Sequence, residues 1–326
     1  MTAPVRSAAG VEYRTAVPDD LAACASVWRE AINDYIVRLG VPEIPGDAGP
    51  IGRLHAHIQA TDPDRFWVAT RDERIVGFAA ATVRGRVWFL SMLFVVPGEQ
   101  RRGVGRALLA RVLPADHSAD HSAAHDEMVL ATCTDSAQPV SNALYSRYGI
   151  VPRMPLIGLT GRPHGPGAIE PLPAGVAAVP FDRVAAGPPD GPGHRELVAA
   201  VDALDAELAG FTHPQDHRFL RAEGRRGFLY RAGDGSILGY GYASEVGRVG
   251  PVAVSDEALL GPVLGHLLTV VQPRGASAVW VPGHADRAVV ALLRAGLRFD
   301  DFPVLVCWSE PFADFRRYLP ISSGLL

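Results

Sequence analysis

Apolar and polar positions alternate at two different periods along this chain, and the changes of period mark its elements. "VEYRTAV" (Val11–Val17) alternates as a short strand. The "PDD" that follows opens a helix, because acidic residues suit the positive end of the helix dipole. Leu21, Cys24, Trp28, Ala31, Ile32 and Tyr35 then recur every three or four residues, which predicts a helix with one apolar face. "RFWVATRD" and "RIVGFAAATVRG" predict two strands joined by a polar turn. "VWFLSMLFVV" is apolar throughout and is expected at the centre of a sheet. A helix over 103–114, a strand at "MVLATCT", a short helix at "VSNALYSRYG" closed by Gly149 and a strand at "VPRMPLIGLT" complete this half.

The stretch from Gly161 to Pro171, "GRPHGPGAIEP", is rich in proline and glycine and reads as a linker. Beyond it the pattern returns. "GSILGYGYASEVGRVGPVAVSD" parallels "ERIVGFAAATVRGRVWFLSMLFVVP", and "ALLRAGLRFDDFPVLV" parallels "ALYSRYGIVPRMPLIGL". Two copies of one mixed α/β unit follow, each of about 150 residues, an ordinary domain size. The expected division is a first domain at 1–163, a linker at 164–171 and a second domain at 172–326.

Composition then narrows the chemistry. The 326-residue chain has a formal net charge of −4, which argues against a nucleic-acid surface as its main partner. All 31 basic residues are arginine. Without lysine there is no Schiff-base residue for pyridoxal phosphate, no kinase strand lysine and no P-loop lysine. Cys24, Cys133 and Cys307 lack the spacing of a disulfide framework or a zinc site. No apolar run is long enough to span a bilayer, and the amino-terminal residues lack a signal-like core. A cytoplasmic protein without membrane contact is expected.

Chemistry concentrates in "LFVVPGEQRRGVGRALLARVL" (Leu93–Leu113), where a strand meets a proline, an arginine turn and an amphipathic helix. Gly103 and Gly105 let the backbone approach an anion, and Arg101, Arg102 and Arg106 offer charge-assisted hydrogen bonds. The helix start adds unpaired N–H groups and a partial positive charge. This is the pattern of a pyrophosphate cradle, set against the plainer reading of a solvated helix start. A dinucleotide fingerprint would want Gly or Ala where Leu108 stands, which weighs against that alternative.

"QRRGVG" (Gln100–Gly105), preceded by "LFVVP", resembles the Q/R-x-x-G-x-G/A signature of the GNAT acyltransferase superfamily. "QPVSNALYSRYGI" (Gln138–Ile150) is similar to that family's N-x-x-A-x-x-L-Y-x-x-x-G-F segment, with Gln138 and Ser141 replacing Asn and Ala. The resemblance covers nearly all of the first half and, weakened, the second. It implies tandem domains, each a mixed, largely antiparallel twisted sheet flanked by helices. It also implies that Leu93, Phe94 and Val95 pair with the pantetheine arm of acetyl-CoA. Gln100, Arg101, Arg102, Gly103, Val104, Gly105 and Arg106 would take the pyrophosphate, and Gln138 would make a polar contact to the cofactor. Tyr145 matches the position of the general acid that protonates the departing thiolate, and the Val95 N–H would steady the oxyanion. No metal is implied.

The general base stays open. No carboxylate occurs from Val87 to Val96, and Glu30 and Asp34 on the first helix are candidates beside the commoner reading of solvated helix acids. In the second copy, Ser255-Asp256 and then Glu257 stand opposite Val96-Pro97, and Leu292 takes the place of Tyr145. Acids oppose pyrophosphate binding, so this copy is expected to be degenerate and non-catalytic. His117, His121 and His125 would share one helix face, but a solvated excursion is preferred to a metal site; His213 and His217 are read as helix-start hydrogen bonders. The tail "RRYLPISSGLL" is expected to dock rather than fray. The expected activity is transfer of an acetyl group from acetyl-CoA to the primary amine of a small molecule, by the N-terminal domain. A non-catalytic acyl-CoA sensor or interaction protein and a nucleotide-dependent enzyme are the rivals; the acceptor, the acyl chain length and the oligomeric state stay open.

Overall fold

A computed structural model describes residues 10–44, 46, 49–114, 128–164, 170–188, 190–300 and 302–326. By packing, the chain divides into two compact units, 1–132 with 140–151, and 133–139 with 152–326.

The first unit contains β1 (Glu12–Thr15), α1 (Leu21–Ile36), α2 (Gly49–Thr61), β2 (Phe66–Arg71), β3 (Arg74–Arg84), β4 (Val87–Val95) and α3 (Val104–Val112), followed by β5 (Val129–Asp135) and α4 (Pro139–Ser146). The strands run in the order β1-β2-β3-β4-β5, antiparallel except for the parallel β4–β5 pair. Strand alternation sorts the side chains. Phe66, Val68, Phe78, Ala80 and Met92 share one face and close over Cys24 and Val27 of α1 and Ile58 of α2. The opposite face receives α3: a Cβ on Gly77 would stand 3.3 Å from Leu108 and 3.0 Å from the Phe94 carbonyl. A larger residue would require these neighbours to give by a few tenths of an ångström. Trp88 donates its indole N–H to the Val112 carbonyl at 2.9 Å, satisfying one of the groups a helix C-terminus leaves open.

At the end of α2, Asp62 ties the helix to the sheet. Its carboxylate accepts from the Arg84 guanidinium at 2.9 Å and from the Val83 N–H at 3.0 Å. Both charged side chains are buried, so each relies on the other for the solvation it lost.

The second unit contains β6 (Val151–Gly161), β7 (Ala177–Pro180), α5 (Phe181–Val184), α6 (Pro192–Leu208), α7 (Pro214–Ala222), β8 (Arg226–Arg231), β9 (Ile237–Ala243) and β10 (Arg248–Val254), then α8 (Leu260–Val270), β11 (Ser277–Pro282), α9 (Asp286–Arg294), β12 (Arg298–Phe299), β13 (Val304–Trp308) and β14 (Tyr318–Leu319). Its strands run β13-β6-β11-β10-β9-β8-β7, with β12 also on β6 and β14 also on β10. The element order repeats that of the first unit. Within this unit β6 pairs antiparallel with β11 from Leu156↔Pro282 to Gly161↔Ser277. Segment 133–139 also packs here, with the Ser136 N–H on the Pro303 carbonyl at 3.2 Å. Among the described residues, no helix is long and apolar enough to cross a membrane.

Candidate active site

The site begins with a defect in β4. Its pairing with β3 slips between Ala81↔Leu90 and Ala80↔Met92, so Ser91 is an extra residue that bends the strand. The parallel pairing with β5 ends at the same level, at Leu90↔Thr132, where the Thr132 hydroxyl donates to the Leu90 carbonyl at 2.8 Å. Past this point no strand among the described residues pairs with β4 on its β5 side. The Val96 N–H bonds the Val76 carbonyl at 2.9 Å. By antiparallel alternation, Phe94 then turns its backbone to β3, while Leu93 and Val95 turn theirs to the open side. Of the three strand residues expected to meet a ligand, two have the backbone groups to do so.

The turn that follows is held by side chains and opened by its dihedrals. The Gln100 carboxamide donates to the Val95 carbonyl at 3.0 Å, which spends that carbonyl and leaves the Val95 N–H on the open side. Arg101 and Gly103 both adopt left-handed backbone, with φ of 62° and 87°. No side chain caps α3 at Gly103, and the first intrahelical bond runs from the Ala107 N–H to the Gly103 carbonyl at 3.0 Å. The N–H groups of Val104, Gly105 and Arg106 therefore have no acceptor within the helix. Arg101, Arg102 and Arg106 are exposed around them, whereas the Val104 side chain is buried and offers only its backbone. Glu99 is bound through Arg71 at 3.0 Å and lies 3.6 Å from Arg102, so the one acid of the turn is neutralised by arginine. The result is a concentration of N–H donors and positive charge suited to an anion.

Tyr145 lies on α4 and is only 5% exposed. Its carbonyl accepts from the N–H groups of Tyr148 and Ile150 at 2.9 and 3.2 Å, closing the helix at Gly149. Sequence reasoning passed over Tyr148. Burial raises its phenol pKa, and the nearby charges of Arg106 and Arg147 oppose that rise, so this hydroxyl stands in the field of the turn. The signal available was its spacing of three residues from Tyr145. Gln138 belongs by packing to the second unit, with its N–H on the Asp135 carbonyl at 3.0 Å.

Neither candidate base is poised for proton transfer. Glu30 is exposed, and Asp34 is paired with Arg38 at 3.0 Å one helical turn on. His55 of α2 reaches β4, with Nε2 3.0 Å from the Met92 sulfur, but it is fully buried against Phe66 and Phe78. Burial pushes its pKa down to about 4, so it is a neutral core residue near pH 7. Among the aromatic residues of this unit, Phe66, Trp88 and Phe89 are buried, while Trp28, Tyr35 and Trp67 are half-buried.

The second unit has the same framework with the opening closed. Parallel pairing of β10 with β11 ends at Val249↔Val279, and β10 also slips against β9 just beyond. The edge thus released is taken by the chain's own β14, through Val252↔Leu319 and Ala253↔Tyr318, and by the Val254 N–H on the Arg317 carbonyl at 3.0 Å. Tyr318, Leu319, Ile321, Leu325 and Leu326 are buried, so the tail docks as its composition suggests. At the turn, the Asp256 carboxylate accepts from the Ala258 N–H at 2.8 Å, so a carboxylate of the chain already satisfies an amide there. Leu292 is a core residue. One expectation is corrected: His213 sits at the N-terminus of α7 without capping it, and both His213 and His217 turn inward to Asp205. Burial of α7 against the sheet outweighs the local pull of its first turn. His117, His121 and His125 lie outside the described residues.

Comparison with known proteins bears on this geometry. Residues 33–150 match the family model described as the acetyltransferase (GNAT) family. No curated protein matches the chain significantly. Among solved structures, a candidate acetyltransferase from Pyrococcus horikoshii superposes with a TM-score of 0.71 at 16% identity, over 98% of this chain and 96% of that one. A GCN5-related N-acetyltransferase from Sphaerobacter thermophilus gives 0.59 at 16% identity, over 94% and 98%. A tandem GNAT protein from the clavulanic acid biosynthesis pathway gives 0.53 at 18% identity, over 92% and 99%. At such identities the likeness establishes the fold.

Proposed function

Because residues 33–150 carry a domain of the acetyltransferase (GNAT) family within a tandem GNAT fold, we propose that the first unit transfers an acetyl group from acetyl-CoA to the primary amine of a small molecule. One contrast carries this reading. Among the described residues, the β4 edge beside an uncapped, arginine-lined turn has no strand paired to it beyond Leu90, while the corresponding edge in the second unit is filled by Tyr318 and Leu319.

In this reading the N–H groups of Val104, Gly105 and Arg106, with the guanidinium groups of Arg101, Arg102 and Arg106, hold the diphosphate. Leu93 pairs with the pantetheine arm through its outward backbone groups. The Val95 N–H is the donor left to stabilise negative charge on the thioester oxygen as the amine attacks. The attacking amine must first lose a proton, since an alkylammonium has a pKa near 10. With no carboxylate poised on β4, water at the open edge is the route for that proton. Tyr145 donates to the departing sulfur, which leaves as a thiol. The second unit takes no part in the chemistry.

A non-catalytic acyl-CoA sensor is the second reading, favoured by the burial of Tyr145 and the lack of a strand carboxylate. The test is to incubate the full chain with acetyl-CoA and a panel of small primary amines and follow free thiol. Thiol release that falls in Tyr145→Phe, with acetyl-CoA affinity retained, supports catalysis. Binding without thiol release for every amine supports the sensor.

A further inference from the structure

Deep in the second unit, α6 and α7 bring three ligand-type side chains to one point. The Asp205 Oδ2 atom lies 2.8 Å from His217 Nε2 and 3.2 Å from His213 Nε2. The ligand atoms of all three residues lie within 4.8 Å of one another, and all three side chains are buried. Asp205 and His217 are also hydrogen-bonded from behind, and His213 is approached there by a carboxylate. The second Asp205 oxygen accepts from the Tyr240 hydroxyl, His217 Nδ1 lies 2.9 Å from the Tyr242 hydroxyl, and His213 Nδ1 lies 3.3 Å from the Asp216 carboxylate. Hydrogen bonds of this kind fix the tautomer and direction of imidazole ligands around a metal.

Side-chain pairing alone leaves this cluster unsatisfied. Two imidazoles address the same carboxylate oxygen, and neither ring nitrogen of the fully buried His213 makes an aligned hydrogen bond. The buried Tyr318 hydroxyl also has no hydrogen bond, although it lies within the electrostatic reach of Asp205 and Asp216. Asp205 and Asp216 bring two buried carboxylates to the two ring nitrogens of His213. A buried carboxylate needs compensating charge, and a divalent cation bound at Asp205 would supply it there.

We propose that Asp205, His213 and His217 form a site for one divalent transition-metal ion, zinc by the chemistry of its donors. Two imidazole nitrogens and a carboxylate oxygen suit zinc, whereas magnesium and calcium prefer oxygen alone. The site has three protein ligands and a fourth position left for water; with its ligands buried, it serves the fold. It joins α6 to α7 under β9, beside the Tyr318 that fills the β10 edge, and so helps keep the second unit in its closed form.

The test uses the full chain, purified without a polyhistidine tag and without chelator. Elemental analysis is expected to find about one zinc per chain, as a three-ligand site requires. Cobalt exchanged into the protein should give the visible absorption of a low-symmetry, four- or five-coordinate ion. Removing metal with a chelator should lower the melting temperature, and zinc, but not magnesium, should restore it. In His217→Asn, metal affinity should fall by at least about tenfold, as even loss of an outer partner can cost that much. If His217→Asn fails to fold, the cobalt spectrum and chelator response of the unaltered chain decide. Two results overturn the proposal: a chain that binds no zinc and melts identically with and without it, or zinc that persists undiminished in folded His217→Asn. The second would place the metal elsewhere, with His117, His121 and His125 the first residues to examine.

Discussion

The Gln100 carboxamide donates to the Val95 carbonyl across 3.0 Å, tying the end of β4 to the turn that follows. One side chain thus sets the angle between the strand edge and the α3 N-terminus, the two surfaces an extended anionic thioester would have to touch together. Gln100→Ala removes one hydrogen bond and frees the Val95 carbonyl. Acetyl-CoA affinity should fall about tenfold, roughly the value of a single hydrogen bond, with little change in melting because Gln100 is exposed. Calorimetric titration alongside thermal melting checks both halves.

Arg101 and Gly103 both hold left-handed backbone, and substitution separates shape from charge. A Cβ on Gly103 meets nothing within 4 Å, so Gly103→Ala acts through conformation alone. It should destabilise the protein by about 1–2 kcal/mol, the penalty of that conformation for an L-residue. Arg101→Gly should leave stability nearly unchanged, because relief of the strain offsets the greater chain entropy of glycine. It should still weaken acetyl-CoA binding through the lost charge. Denaturant unfolding and ligand titration of the two variants should therefore rank them in opposite orders.

The buried pair of Asp62 and Arg84 predicts a larger effect. Asp62→Ala strands a guanidinium in the core and should cost about 3–5 kcal/mol, as breaking a buried pair from one side does. Urea unfolding measures the loss, and Asp62→Asn should recover part of it by keeping an acceptor for the Val83 N–H.

His55 gives the fold a signed response to acid. Its pKa falls from 6.5 to about 4 on folding because burial disfavours the charged ring. Between these values the unfolded chain holds the extra proton, so stability rises with pH across this window and is lost as pH falls through it. The full shift corresponds to about 3 kcal/mol. Asp135, raised to about 6 by burial, works in the opposite direction between 3.8 and 6, which makes the comparison with a variant the informative one. Subtracting the stability–pH curve of His55→Leu from that of the unaltered chain should leave a difference that grows from pH 4 to 6.5 and then levels.

The legible parts of the sequence were those fixed by local pattern. The apolar run of β4, its second appearance in the later half, and the glycines and arginines of the first turn were visible because strand burial and helix-start chemistry act over a few residues. Other features depended on distant partners. α2 follows a glycine- and proline-rich stretch, and its buried face of Ile51, Leu54, His55 and Ile58 mixes a polar residue with apolar ones. β6 reads as the last strand of the first copy, yet its partner β11 lies more than a hundred residues further on. The partnership of Asp205 with His213 and His217 crosses a helix–helix connection that no periodicity encodes. The filling of the β10 edge by Leu319 could be anticipated only as a docking tail.

The direct test of the account is the number and place of acetyl-CoA sites on the full chain. Calorimetric titration should find one site per chain. Arg102→Ala and Arg106→Ala should each weaken it about tenfold or more, the value of a charge-assisted hydrogen bond, without lowering the melting temperature. Two sites per chain, or one site indifferent to both substitutions, would contradict it.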